Sequence, residues 1–299
     1  MVNPPPTVLA LDYDGVLCDG MKEYFQTAWR AYCHLWQLTD PVPPIGLAEQ
    51  FYRVRPLIAT GWEMPLLLRA LLTGYSETEM AQDWDQLAQQ LLKQEGLSAA
   101  ILAAEVDGIR DHWIASDPTS WLAEQYLYPG VAGQLTLWLN SIQVVIISTK
   151  EGRFIQQLLQ QHEIDLTNLR IFGKEVKQPK HQILRQLKAE QPDSAVFWFV
   201  EDRLKTLQVV EQLADLEDVQ LFLATWGYNT AAERAAIADD SRIRPPWVVV
   251  RLLPKMQRCT LARCRSRSDA ESYAQTLRTL NPGLQILVVF DPGSSKSSI

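Results

Sequence analysis

The sequence is poor in the features that mark several large classes of protein. It holds four cysteines, and none of them forms a C-x-x-C pair, which disfavours a zinc site and indicates buried or free thiols in a reducing compartment. The net charge of −7 argues against general binding to nucleic acid, which needs a basic surface. No apolar stretch reaches membrane-span length, and the N-terminal Met-Val-Asn-Pro-Pro-Pro contains no apolar signal region. We therefore expect a cytoplasmic protein with no membrane or nucleic-acid partner.

What is present is a sequence of 299 residues, long enough for two domains, whose pattern changes after residue 20. Residues 20–128 hold no convincing strand, and apolar residues three and four apart predict amphipathic helices there. Ser76 and Glu79 form a capping box. Six of the ten tryptophans lie in this stretch, and we interpret them as packing anchors. Helices are predicted at Met21–Leu38, at Ile45–Leu72 with an interruption near Gly61, at Ser76–Glu95 and at Leu97–Ser116.

Helices and strands alternate after residue 128, which is typical of a parallel sheet. Together with an apolar first strand at Val8–Leu11, this pattern predicts an α/β core with a doubly wound parallel sheet. The core comprises residues 1–19 and 129–240, and residues 20–128 form a helical domain inserted after the first strand. The later strands are predicted at Gln143–Ser148, Leu169–Phe172, Ala195–Val200 and Gln220–Ala224.

Residues 241–299 differ in charge from the rest of the chain. They carry a net charge of +7, whereas residues 1–240 carry −14. Strands are predicted at Trp247–Leu253 and Leu284–Phe290, and Ser268 with Glu271 forms a capping box that opens a helix between them. Two interpretations of this extension stay open. It is a small βαβ unit that contacts an acidic partner, or a basic extension that packs on the acidic core.

The first strand ends in two aspartates, Asp12 and Asp14, followed directly by Gly15. Such a pattern also occurs as a simple Asp-Gly turn. However, ligands of open α/β sheets bind beyond the carboxyl ends of the strands, where this pair lies. Two buried acids repel each other unless a cation lies between them, and Mg²⁺ prefers carboxylate and phosphate oxygens. The sequence therefore predicts a magnesium site at the end of the first strand.

Later strand ends carry further polar side chains. Ser148 follows an apolar strand, and it is a candidate phosphate ligand or an N-cap of the next helix, with Thr149 as the alternative one residue on. Lys180 stands at the start of a helix and is a candidate for the cation of the site. Lys177 is a second candidate nearby. Asp202 ends another strongly apolar strand, directly after Glu201.

The segment Asp12-Tyr13-Asp14-Gly15-Val16-Leu17-Cys18-Asp19 resembles the first motif, D-x-D-G-[TV]-L-x-D, of the haloacid dehalogenase-like (HAD) superfamily. The resemblance implies that Asp12 is a nucleophile for a phosphoryl group and that Asp14 is the general acid and base. It implies a Mg²⁺ held by Asp12, by the backbone carbonyl of Asp14, and by Asp202. Family dehalogenases lack an acid at the second position, so Asp14 indicates phosphoryl chemistry.

The resemblance covers residues 7 to about 230 and extends to three weaker motifs. Counting back from Lys150, as in the family's T-N-K form, makes Ser148 the phosphate ligand. Lys180 matches the motif lysine, although Lys177 has the spacing of the family's K-P-x-P form. Glu201 replaces the usual glycine before the metal-binding aspartate, and Thr206 stands where a second acid is often found. Either Glu201 or a water then takes over the role of that acid, or metal binding is weaker.

These features predict a magnesium-dependent phosphatase that hydrolyses a small phosphorylated metabolite through an aspartyl-phosphate. The helical insertion corresponds to the family's cap, in which Arg53, Arg55 and Glu63 are candidates for substrate contact. A phosphomutase of the same superfamily is the alternative within catalysis. A non-catalytic binding or regulatory module on a HAD scaffold is the alternative outside it.

Overall fold

The computed structural model describes residues 6–237, 243–244, 247–252, 258–264, 267–280 and 286–290. Within these ranges the chain forms two compact units, an α/β unit from the described parts of Met1–Cys18 and Leu127–Ile299, and a helical unit from Asp19–Tyr126. In none of the described ranges is a helix both long enough and apolar enough to cross a membrane. The strands are β1 Val8–Leu11, β2 Cys18–Asp19, β3 Tyr126–Leu127, β4 Gln143–Ile147, β5 Arg170–Phe172, β6 Phe197–Glu201, β7 Gln220–Leu223, β8 Ile243–Arg244, β9 Trp247–Leu252, β10 Arg258–Cys264 and β11 Ile286–Phe290.

The helices are listed here in chain order, with the short 3₁₀ turns given separately. The α-helices are α1 Met21–Leu35, α2 Leu47–Val54, α3 Met64–Leu72, α4 Glu77–Gln82, α5 Trp84–Glu95, α6 Ala99–Ser116, α7 Pro118–Leu122, α8 Val131–Leu139, α9 Gly152–Gln161, α10 Lys180–Ala189, α11 Leu204–Glu211, α12 Ala231–Ala235 and α13 Arg267–Leu280. The 3₁₀ turns are Arg55–Leu57, Gly61–Glu63, Lys174–Val176 and Ala214–Leu216.

The α/β unit is built on a parallel sheet with the strand order β5-β4-β1-β6-β7-β8, which confirms the predicted fold class. Strand β1 is fully buried, as expected of an apolar run in the middle of a parallel sheet. Leu11 pairs with Ile146 of β4 and Val200 of β6, so the residues that follow these strands emerge side by side. The chain order reverses between β1 and β6, where open α/β sheets bind their ligands.

The helical unit departs from the predicted helices at two breaks. The predicted helix Ser76–Glu95 is wrong at Asp83, whose side chain accepts the N–H of Gln86 at 3.0 Å and starts a new helix. Pro56 carries no N–H and stands in the 3₁₀ turn that follows α2, so the break near Gly61 is wider than expected. The predicted capping box is present, because the N–H groups of Glu79 and Ser76 each donate to the other's side chain.

The tryptophans of the helical unit pack largely as anchors between helices. Trp29, Trp84, Trp113 and Trp121 are buried. Trp29 also stacks on Tyr32, with ring centroids 5.5 Å apart. Such large apolar side chains supply much of the area that a small helical unit can bury.

The predicted βαβ interpretation of the extension is wrong in its strand pairing. Strand β9 is antiparallel to both β10 and β11, so the helix α13 joins the parallel strands β10 and β11 on either side of β9. The sequence prediction missed β10, which turns the chain back before the helix. The helix begins at Arg267, which places the predicted N-cap Ser268 inside it.

Ala270, Ala274 and Ile286 are buried together in the extension. The predicted strand ends Leu253 and Leu284, and the predicted domain boundary at 240–241, lie outside the described residues.

Candidate active site

The predicted site residues follow different elements but share one edge of the parallel sheet. Asp12 follows β1, Ser148 follows β4, and Asp202 follows β6, while Lys180 is the first residue of α10. Because the strands are parallel and in register, their carboxyl ends lie at the same edge. Asp12, Ser148 and Asp202 are all buried.

Lys180 is the cation next to the predicted nucleophile. Its Nζ lies 2.8 Å from Oδ2 of Asp12 and 2.6 Å from Oε2 of Glu201. Burial lowers the pKa of the Lys180 ammonium, but the carboxylates of Asp12 and Glu201 outweigh burial and the net pKa is raised. Lys180 therefore stays charged at neutral pH. Lys177, the alternative candidate, is exposed.

Three buried carboxylates lie close together here, and two of them contact Lys180. Oxygen atoms of Asp12, Glu201 and Asp202 lie within 4.8 Å of one another. Burial, followed by the charge of Glu201, raises the pKa of Asp12 to about 7, and burial followed by the charge of Asp12 raises that of Asp202 to about 6. Burial also raises the pKa of Glu201. The excess negative charge and the all-oxygen donor set fit a divalent cation such as Mg²⁺.

Glu201 lies inside this cluster and is fixed from two sides. Its Oε2 accepts a hydrogen bond from Lys180, and its Oε1 accepts the N–H of Arg203 at 3.0 Å. Glu201 lies beside Asp12 and Asp202, whereas Thr206 lies in α11 and carries no carboxylate.

The loop after β7 holds Asp202 in place. The N–H of Tyr228 donates to Oδ2 of Asp202 at 2.6 Å, and the Asn229 amide donates to the backbone oxygen of Asp202 at 2.9 Å. A Cβ on Gly227 would lie 2.4 Å from Cβ of Asp202, and one on Gly15, where φ is +82°, would lie 2.1 Å from its Oδ2. Sequence reasoning missed this loop, although its place directly after a strand put it at the same edge.

Asp14 pairs with a residue to which sequence reasoning gave no role. Nζ of Lys150 donates to Oδ1 of Asp14 at 2.8 Å, and both side chains are largely buried. In the described structure the Asp14 carboxylate lies outside the acidic cluster, and a metal contact through its backbone carbonyl stays a prediction. The signal for Lys150 in the sequence was its place as the lysine of the T-N-K form, two residues after Ser148.

Ser148 does not cap the helix that follows it. Its hydroxyl accepts the N–H of Lys150 at 3.1 Å and so closes a tight turn after β4. Helix α9 begins only at Gly152, whose N–H donates to the carboxylate of Glu175 at 3.1 Å. The N-cap interpretation is therefore wrong, because the helix starts four residues beyond Ser148. Thr149 is exposed.

The three polar candidates in the helical unit have partners within that unit. Arg53 forms an exposed two-pronged pair with Glu77. Arg55 is buried, and its guanidinium lies 4.9 Å from the ring centroid of Tyr24. Glu63 is buried and accepts several hydrogen bonds, including that of the Trp84 indole at 2.9 Å. Contact of these residues with a substrate stays a prediction.

An open parallel sheet with carboxylates and a lysine gathered at its carboxyl edge defines the core of an α/β enzyme. The family model described as haloacid dehalogenase-like hydrolase matches residues 6–214, which is more than half of the chain. The chain belongs to this family and is a hydrolase. The resemblance inferred from the first motif is thereby confirmed.

Solved structures are similar to this chain at low sequence identity. A candidate phosphatase from Clostridium difficile is 14% identical with a TM-score of 0.50, and the match covers 81% of this chain and 94% of that one. A haloacid dehalogenase-like family hydrolase from Streptococcus pneumoniae is 18% identical with a TM-score of 0.48, covering 76% and 89%. A candidate phosphoglycolate phosphatase from Lactobacillus delbrueckii is 12% identical with a TM-score of 0.48, covering 78% and 91%. No curated protein shows significant sequence similarity to this chain.

Proposed function

We propose that the protein is a magnesium-dependent phosphatase that hydrolyses a small phosphorylated metabolite through an aspartyl-phosphate on Asp12. The observation that carries the proposal is the 2.8 Å contact between Lys180 and the Asp12 carboxylate beside two further buried acids. A lysine next to a nucleophilic carboxylate favours its ionised form and offsets the charge of an incoming phosphoryl group. Asp14, at the position where family dehalogenases lack an acid, favours phosphoryl transfer.

The reaction proceeds in two steps that use the same two aspartates. First, Asp12 attacks phosphorus, the bond to the leaving oxygen breaks, and Asp14 donates a proton to that oxygen. Next, Asp14 takes a proton from water, the water oxygen attacks phosphorus, and the bond to Asp12 breaks with release of inorganic phosphate. The hydroxyl of Ser148 and the ammonium of Lys180 bind the phosphoryl oxygens during both steps.

A bound Mg²⁺ supplies charge neutralisation for the transferred phosphoryl group. Asp12, Asp202 and the backbone carbonyl of Asp14 would hold it, with Glu201 beside them. The excess of buried carboxylate charge over Lys180 supports this assignment.

The test is turnover of p-nitrophenyl phosphate by the purified protein with and without Mg²⁺. We expect turnover that needs Mg²⁺, disappears in Asp12→Asn and persists in Lys177→Met, which replaces an exposed lysine. Turnover that is absent with Mg²⁺, or unchanged in Asp12→Asn, contradicts the proposal. A panel of metabolite phosphates then identifies the substrate, and isomerisation of a hexose 1-phosphate without release of inorganic phosphate would indicate the phosphomutase.

A further inference from the structure

Lys150 touches the proposed acid and base of the reaction but takes no part in the chemistry described above. Its Nζ donates to Oδ1 of Asp14 at 2.8 Å, across 136 positions of sequence. The Lys150 side chain is 9% exposed and that of Asp14 is 16% exposed. Exposed ion pairs contribute little because water screens them, whereas this pair is largely shielded.

The backbone of Lys150 is anchored on both sides. Its N–H donates to the hydroxyl of Ser148 at 3.1 Å, and its carbonyl accepts the N–H of Lys174 at 2.9 Å. The ammonium also lies 5.7 Å from the ring centroid of Tyr13, which is fully buried. Lys150 therefore approaches Asp14 from a restricted direction rather than as a flexible surface lysine.

We propose that Lys150 is a positioning residue that orients the carboxyl group of Asp14 for proton transfer to the leaving oxygen. This inference rests on the proposed phosphatase function. The contact engages Oδ1 of Asp14 and leaves Oδ2 to carry the proton. General acid catalysis depends on the orientation of the acid, since a misplaced carboxyl group donates inefficiently even when it is protonated.

This role makes the effect of Lys150 depend on the leaving group. An alkoxide needs a proton as it departs, whereas 2,4-dinitrophenolate departs without one. For Lys150→Met we expect kcat/KM to fall about 10- to 100-fold with the alkyl phosphate that the wild type turns over fastest. With 2,4-dinitrophenyl phosphate we expect a fall of less than about threefold, because phosphoryl transfer to Asp12 then needs no acid.

Three variants serve as controls. Lys150→Arg keeps the charge and should recover most of the activity with the alkyl phosphate. Lys205→Met removes an exposed lysine from the same unit and should leave the turnover of both substrates unaffected. In an Asp14→Asn background, Lys150→Met should cause no further loss with the alkyl phosphate, since the group that it positions is already gone.

Equal falls for both substrates overturn the inference, because they indicate that Lys150 binds the phosphoryl group or only maintains the fold. Circular dichroism and the thermal midpoint establish folding, and Lys150→Gln replaces the Met variant if that variant does not fold. If the ratio of kcat/KM for the two substrates is the same in Lys150→Gln as in the wild type, the inference is likewise overturned. If the wild-type protein turns over neither ester, the proposed phosphatase function is contradicted. That result is distinct from a loss of activity confined to the Lys150 variants.

Discussion

Glu23 of the helical unit and the acidic cluster of the α/β unit differ in how their buried carboxylates are paired with cations. In the helical unit, Glu23 is 1% exposed and accepts hydrogen bonds from Arg110 at 2.8 and 3.3 Å and from Thr27 at 2.7 Å. In the α/β unit, Asp12 shares Lys180 with Glu201 and lies in a cluster with a third acid. Glu23 thus has a cation of its own, whereas in the acidic cluster of the α/β unit Asp12 and Glu201 share one lysine beside a third acid.

This difference separates carboxylates that serve the fold from carboxylates that serve chemistry. A matched buried pair maintains structure, because loss of one partner leaves a charge without compensation. An unmatched cluster costs stability, as the raised pKa of Asp12, about 7, records. Clusters of this kind mark functional sites, where a ligand or metal supplies the missing charge.

The largest expected effect comes from the nucleophile of the unmatched cluster. Asp12→Asn should lower turnover of p-nitrophenyl phosphate at least about a thousandfold, equivalent to about 4 kcal/mol of barrier, because the attacking carboxylate is gone. Asp215→Asn, which neutralises an exposed acid of the same unit, should leave turnover unchanged. Activity of Asp12→Asn within tenfold of the wild type would mean that the cluster is structural after all.

The matched pair of the helical unit should respond in stability rather than activity. Glu23→Gln should lower the free energy of unfolding by about 3 kcal/mol, measured by urea denaturation, because Arg110 loses its charged partner. Glu77→Gln breaks the exposed pair with Arg53 and should cost much less. Equal losses in these two variants would contradict the assignment of Glu23 as the supporting acid.

Added Mg²⁺ should raise the free energy of unfolding by binding to the acidic cluster and not to Glu23. At a concentration about a hundred times its Kd, the metal should raise the free energy of unfolding of the metal-free protein by about 2.7 kcal/mol. Asp202→Asn should abolish this shift, while Glu23→Gln should retain it. An identical Mg²⁺ response in the wild type and Asp202→Asn would place the metal elsewhere.

Removal of one acid from the acidic cluster should raise the free energy of unfolding, whereas Glu23→Gln should lower it. Without metal at pH 7.5, Asp202→Asn should raise the free energy of unfolding by about 1–2 kcal/mol, since the buried carboxylate no longer has to ionise. The pKa of Asp202 is raised to about 6, so this gain should grow between about pH 4 and pH 6 and vanish in acid. Urea denaturation in EDTA at pH 4.5 and 7.5 measures it, and a destabilised variant at pH 7.5 would break the comparison.

Much of the site was predictable because its signals are local. An apolar run followed by a polar side chain marks a strand end, and this pattern located Asp12, Ser148 and Asp202 at one edge of the sheet. The same local chemistry predicted the Ser76 capping box. The break at Asp83 was missed because the N-cap aspartate ends one helix and starts the next while the apolar spacing on either side continues.

Contacts between distant residues were not predictable in this way. The resemblance singled out Lys180 as the motif lysine, but nothing in the sequence pairs Lys150 with Asp14. Strand β10 of the extension was likewise missed, and with it the direction in which α13 returns the chain.

By itself, the sequence determined the carboxyl ends of β1, β4 and β6 to within one residue, the two aspartates of the first motif, the family that they indicate, and the helical character of residues 20–128. Only the tertiary structure decided which cation meets which acid and that Glu201 joins the cluster. The physical reason is the strand order, which puts β1 between β4 and β6 although more than a hundred residues separate β1 from either. Charge pairing follows that order and the register, and both come from the packing of the whole sheet rather than from any local stretch.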